Sequence, residues 1–201
     1  NGMVETNAFT MCLDWKGDLW ISGWDCGIFH YSIEESCFKN YLTDRGRPIL
    51  QGRIHTIKAF EPNKIYIGSD QGLTLFDPST QKYITTSYNR NNSSSLSDDF
   101  VYDILKDNEG GLWITTYFGG INYSNPNSSN FTIRHCATES ARGRIISKFH
   151  EDKNGDIFIG TDDGGLFIYN PIKDKCHRYT IDKSRNCSSS FKCSIEPKEI
   201  V

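Results

Sequence analysis

The chain has 201 residues, of which 37% are apolar and 13% aromatic, and a formal net charge of −3. That is enough apolar material for a core, and the slightly acidic balance offers no basic field to draw in nucleic acid or an anionic lipid surface. No stretch approaches the roughly 18 consecutive apolar residues of a membrane helix, and Asn1 to Ala8 carry neither a basic nor an apolar leader region. The expectation is no membrane insertion by this segment and no signal peptide within it.

Four segments repeat along the chain. The first runs from Phe9 to Tyr31, with a polar turn at Asp14 to Gly17, the run Leu19-Trp20-Ile21 and a second glycine turn at Gly27. The second runs from Ile54 to Pro78 with Tyr66 at the corresponding aromatic position. It has Pro62-Asn63 in place of the first turn glycine and is one residue short between Tyr66 and Gly72. The third, Val101 to Pro126, holds Asp107, Gly110, Leu112-Trp113-Ile114 and Gly119-Gly120, and the fourth, Ile146 to Pro171, holds Asp152, Gly155, Phe158 and Gly164-Gly165.

The aromatic anchors Trp20, Tyr66, Trp113 and Phe158 lie 46, 47 and 45 residues apart. A period near 45 with β-branched and aromatic runs between glycine turns predicts an all-β chain of β-propeller blades, each a four-stranded antiparallel repeat. Leu112 and Ile114 alternate with Trp113, so this strand is apolar on both faces, as a blade stacked between two others requires. The predicted blades span approximately 9–53, 54–99, 100–144 and 145–182. The start of a fifth repeat is expected at 183–201, because Ser184 to Ser190 echoes the linker Asn89 to Ser95. Four units either close a small ring or form part of a larger one, and an interrupted fifth repeat favours a partial propeller.

In such blades the turns between the second and third strands share one face of the disc with the connections between blades. Trp24, Asp25, Asp70, Gln71, Tyr117, Phe118, Asp162 and Asp163 fall on that face. Aromatic rings stack on sugar rings, and carboxylates and amides accept hydroxyl hydrogen bonds, so these residues are the candidate ligand-binding set. The connections at about 40–52, 86–99 and 137–144 could contribute binding loops. The recurring acids Asp14, Asp107 and Asp152, each three residues before a glycine, are read as caps of the opposite turns.

Seven cysteines, Cys12, Cys26, Cys37, Cys136, Cys176, Cys187 and Cys193, include no C-x-x-C pair. Zinc by spacing is unsupported, and small strand residues are the simplest reading; Cys187 and Cys193 are close enough in sequence to leave a disulfide open. His30, His55, His135, His150 and His177 are scattered over the repeats without metal-binding spacing. No phosphate-binding loop, dinucleotide fingerprint or nucleophile elbow occurs, so neither catalytic residues, a metal nor a cofactor is expected.

The signature Asp-x-x-Gly-x-Leu-Trp-Ile-x-Thr-x-x-Gly-Gly, clearest at Asp107 to Gly120, with the preceding linker Asn92 to Val101, resembles the two-component-regulator propeller repeat. That resemblance implies the periplasmic sensor region of a Bacteroides-type hybrid two-component system, whose parent protein would be a histidine kinase responding to carbohydrate fragments. An oligosaccharide ligand, and contact with further blades or a second copy of the chain, are the implied partners. A propeller enzyme of glycosidase or lyase type and a protein–protein interaction platform are the rival readings.

Overall fold

Runs of β-branched and aromatic residues between glycine and asparagine turns fold here as successive antiparallel meanders. The computed structural model describes residues 8–41, 43–44, 47–50, 52–127, 131–134, 146–162, 165–179 and 198–199. The first sheet comprises β1 (Ala8–Leu13), β2 (Leu19–Gly23), β3 (Ile28–Ser32) and β4 (Cys37–Tyr41), followed by a small pair, β5 (Thr43–Asp44) and β6 (Arg47–Pro48). The second comprises β7 (Ile54–Glu61), β8 (Lys64–Ser69), β9 (Gly72–Asp77) and β10 (Lys82–Thr86). The third holds β11 (Val101–Lys106), β12 (Leu112–Thr116), β13 (Gly120–Ser124) and β14 (Phe131–Arg134). The fourth holds β15 (Ile146–Glu151), β16 (Ile157–Thr161), β17 (Leu166–Asn170) and β18 (Lys175–Tyr179), with β19 (Lys198–Glu199) paired to its outer edge. The fold is all-β, and the described residues contain no helix.

The capping acids act as the repeat suggests. One carboxylate oxygen of Asp14 accepts the Lys16 and Asp18 N–H groups at 2.8 and 3.0 Å, and Asp107 and Asp152 make the same pair of bonds in their own turns. The second oxygen of Asp14 accepts the Trp20 indole N–H at 3.1 Å, and that of Asp107 accepts the Trp113 indole at 2.7 Å. The turn is thereby tied to the anchor ring. Glycine supplies the left-handed residue at Gly17, Gly110 and Gly155, and Asn63 takes over that conformation (φ 57°) where the second repeat lacks glycine.

Each of the first three anchors faces the following blade. Trp20 and Ile28 pack on Ile57, Ile65, Ile67 and Phe76; Tyr66 and Leu73 pack on Ile104 and Ile114; Trp113 and Ile121 pack on Ile157, Ile159 and Phe167. Gly68 permits the second of these seams, since a Cβ there would meet side-chain carbons of Thr56 and Val101 at 2.7 Å. Inner strands follow one another in the order β1, β7, β11, β15, and among the described residues no comparable packing joins β15 to β1. The four sheets form an open arc. Met11, Leu13 and Phe38 are exposed on the first blade, and Phe158, the fourth anchor, is only half-buried where its three counterparts are buried.

Cys12, Cys26, Cys37 and Cys176 are free thiols, and burial pushes Cys12 up to about 11, which keeps it protonated and unreactive at neutral pH. Cys136, Cys187 and Cys193 lie outside the described residues.

Candidate ligand-binding site

A bulge recurs at one place in every inner strand, between Ala8 and Thr10, Ile54 and Thr56, Val101 and Asp103, and Ile146 and Lys148. A bulge inserts one residue that leaves the ladder and is free to aim elsewhere. The inserted residues are Phe9, His55, Tyr102 and Ser147. The first three join the candidate set on the face carrying the turns between second and third strands.

The first of those turns is fastened to the chain entering the next blade, and the second and third are fastened to the chain entering their own. Asp25 Oδ1 accepts the Gly52 N–H at 2.6 Å, and Trp24 forms an isolated bridge with Arg53. Asp70 Oδ2 accepts the Arg53 N–H at 3.0 Å, and the Phe118 N–H donates to Asp98 Oδ2 at 2.9 Å. Asp25 and Asp70 therefore each use carboxylate capacity on holding the backbone, besides whatever they offer a ligand. The short second turn brings Asp70 against the imidazole of His55, with His55 Nε2 and Asp70 Oδ1 2.7 Å apart.

A row of side chains results. The Arg53 guanidinium lies 4.3 Å over the Phe9 ring, and Phe9 is 6.5 Å from Trp24. His55 stacks on Tyr102 at 4.1 Å, Tyr102 lies 5.3 Å from Tyr117, and Tyr117 meets Phe118 edge-on at 4.5 Å. Trp24 (55%) and Phe118 (70%) are open to solvent, as are Gln71 and Asp162, while Tyr117 is half-buried. Burial raises the Tyr102 phenol, and Tyr117, Asp70 and Asp162 add to this against the opposing charge of Arg53. Asp163 lies outside the described residues. Arg53 Nε is buried without a hydrogen-bond partner, so this cation is under-satisfied beside an aromatic wall.

Turn topology reaches seven of these residues and leaves out Phe9, Arg53, His55 and Tyr102. Aligning the repeats puts Phe9, His55, Tyr102 and Ser147 in one column, two residues before a strand position that faces a neighbouring blade. That column was the available signal; the bulge that turns it outward leaves no mark in a single sequence.

Burial holds the His55 imidazole below its ordinary value, against the raising effect of Asp70 and with Arg53 and Lys148 pushing the same way. The unfolded imidazole takes up its proton near 6.5 while the folded one resists to lower pH, so the unfolded state binds more protons in that interval. Stability should fall as pH drops below about 6.5. His55→Gln should flatten this part of the profile, which thermal unfolding across pH 5 to 7.5 reads directly, with an unchanged slope counting against the assignment.

On the opposite face, His30 sits between two carboxylates, 3.8 Å from Asp14 Oδ2 and 3.4 Å from Asp18 Oδ2, with its ring 4.4 Å from Trp20. Both acids are already engaged, Asp14 in its turn and with the Trp20 indole, and Asp18 Oδ1 in accepting the Ile33 N–H at 2.9 Å. The cluster reads as a polar brace of the first blade.

Residues 95–118 match the family described as two component regulator propeller. Comparison with curated protein sequences gives no match. Among solved structures, the extracellular domain of the hybrid two component system BT3049 from B. thetaiotaomicron is similar over 88% of this chain and 25% of its own, at 22% identity and TM-score 0.73. The extracellular domain of BT4673 from the same organism is similar over 88% of this chain and 27% of its own, at 18% identity and TM-score 0.68. Virginiamycin B lyase from Staphylococcus aureus is similar over 87% of this chain and 56% of its own, at 13% identity and TM-score 0.64. The chain thus spans about a quarter of the length of the two B. thetaiotaomicron domains, and at these identities the likeness is one of fold. No helix among the described residues is long and apolar enough to cross a membrane.

Proposed function

We propose that this chain, which carries a two component regulator propeller repeat at residues 95–118, is a ligand-recognition segment in the extracytoplasmic, periplasmic sensor region of a hybrid two-component signalling protein. Its ligand is an oligosaccharide fragment, and the segment itself performs no catalysis. The observation that carries this reading is the row on the turn face, where exposed Trp24 and Phe118 and half-buried Tyr117 stand beside Arg53, Asp70, Gln71 and Asp162. Flat rings flanked by charged and amide groups suit a pyranose, which offers an apolar face and a rim of hydroxyls. The kinase output belongs to the parent protein, and ligand binding reaches it through shifts of the propeller against neighbouring domains. The apolar side chains open at the ends of the arc, Met11 and Leu13 at one and Phe158 at the other, are covered there by further blades or by a second copy of the chain.

Calorimetric titration against a panel of plant and host oligosaccharides tests the reading. At least one fragment should bind saturably, and Tyr117→Ala with Phe118→Ala should weaken it about tenfold or more, as removal of central aromatic anchors does elsewhere. No response to any fragment, or full affinity in the double variant, would sink it. The His55–Asp70 pair beside Arg53 favours a second reading, a propeller enzyme with His55 as general base. Chromatography of the bound fragment after prolonged incubation separates the two: an intact fragment supports recognition, and cleavage lost in His55→Gln supports catalysis.

A further inference from the structure

The seams between blades meet the turn face opposite the aromatic row, and the repeat puts equivalent residues at each. At the second and third seams the residue five before the anchor on one blade meets the residue seven before the anchor on the next. At the first seam these are Trp15 and Ala59. The second seam has Glu61 and Lys106, which form an ion pair, and Lys64 adds a second ammonium to Glu61 at 2.6 Å. At the third seam they are Asn108 and Glu151, joined by one hydrogen bond from Asn108 Nδ2 to Glu151 Oε1 at 2.9 Å. The acid of the second seam has become an amide, and its lysine has become an acid.

The third seam is also open. A cleft of about 370 Å3 lies there, floored by Trp113, Tyr123 and Tyr169 and rimmed by Asn108, Glu151 and Asn154. Burial pushes the Glu151 carboxyl up, and the charges of Asp107 and Asp152 add to this against the opposing bond from Asn108. Lys153 lines the same cleft but forms no ion pair with Glu151 within 4 Å. A carboxylate among like charges, beside an aromatic floor, is the setting in which a cation is best received.

We propose that the cleft between the third and fourth blades is a second ligand site, for a small primary amine whose ammonium sits against Glu151 as Lys106 sits against Glu61 in the neighbouring seam. Asn108 and Asn154 offer hydrogen bonds to hydroxyls on the amine's frame, and Tyr123 offers a wall. This site is independent of the oligosaccharide row, from which it is separated by the thickness of the blades.

Calorimetric and NMR titration of the intact chain with methylammonium, putrescine and D-glucosamine, each against its hydroxyl counterpart methanol, 1,4-butanediol and D-glucose, tests the proposal. At least one amine should bind at least tenfold more tightly than its counterpart and shift the resonances of Asn108, Tyr123 and Asn154. Glu151→Gln, which retains an acceptor for Asn108, should lose that preference with an unchanged unfolding midpoint. Lys153→Met should strengthen it by removing the competing charge, which provides a test if Glu151→Gln fails to fold. Equal affinity for amine and hydroxyl partners, no binding by any amine, or a preference that survives Glu151→Gln would overturn the assignment. Phe118→Ala should leave amine binding unchanged, so failure here and failure of the oligosaccharide reading are separable.

Discussion

Asp103→Leu should lower the stability of the chain by about 2 to 5 kcal/mol, since two buried donors lose their acceptor at about 1 to 3 kcal/mol each. The Asp103 side chain is 1% exposed and belongs to three blades at once. Its Oδ1 accepts the Thr56 hydroxyl at 3.0 Å and lies 3.1 Å from Lys58 Nζ, both on the second blade. Its Oδ2 accepts the Phe149 N–H at 3.2 Å and lies 3.8 Å from Lys148 Nζ, both on the fourth. Inner strands expose one edge of their backbone toward the propeller axis, and Asp103 supplies an acceptor for one such N–H. Leucine would leave Thr56 and Phe149 without an acceptor; Lys58 and Lys148 are exposed enough to return to water. Asp103→Asn can satisfy Thr56 or Phe149 but turns an NH2 toward a donor on the other side, so it should cost less, about 1 to 3 kcal/mol. Urea unfolding measures both, and faster exchange of the Phe149 amide would identify the fourth blade as the part released. A loss under about 1 kcal/mol for the leucine variant would show that the bridge carries no weight.

Trp113→Ala should cost a similar about 3 to 5 kcal/mol. The ring is 3% exposed, lies 4.7 Å from Tyr123 and 5.4 Å from Tyr169, and donates its indole N–H to Asp107. Alanine would empty the centre of the third seam and leave Asp107 Oδ2 without that donor. Trp113→Phe keeps most of the apolar contact and loses the hydrogen bond, for an expected cost of about 1 to 2 kcal/mol. The same truncation at the half-buried Phe158 should cost clearly less, about 1 kcal/mol, because a half-buried ring has less contact to lose. In a domain of this size each kcal/mol corresponds to about 2 to 4 °C in unfolding midpoint, so the Trp113 and Phe158 variants should be well resolved by calorimetry. Equal shifts at the two positions would contradict the assignment of Phe158 to an open end.

Much of this architecture is readable in the chain because the repeat states it four times. The anchors Trp20, Tyr66, Trp113 and Phe158 register the blades, and the alternation around Trp113 already implies burial on both faces of its strand. Turn capping by Asp14, Asp107 and Asp152 is visible as an acid three residues before a glycine. Three kinds of feature are not readable. The bulges that turn Phe9, His55 and Tyr102 onto the candidate ligand face depend on pairing across two strands. Bridging by Asp103 depends on three blades meeting, and nothing local separates it from an exposed strand acid. Cleft chemistry at Glu151 emerges only when each residue is compared with its equivalent across the next seam, since both Lys106 and Glu151 read as ordinary polar strand ends. Asp25 and Asp70, proposed from sequence as ligand contacts, also have backbone duties that turn topology alone does not reveal.

Amide and aromatic NMR mapping of the chain during titration with the oligosaccharide panel addresses the recognition role most directly. The predicted result is saturable shifts confined to one contiguous set that includes Trp24, Tyr102, Tyr117 and Phe118, with the blade-core resonances of Ile67 and Ile114 unmoved. Shifts scattered over both faces, or none with any oligosaccharide at millimolar concentration, would contradict it.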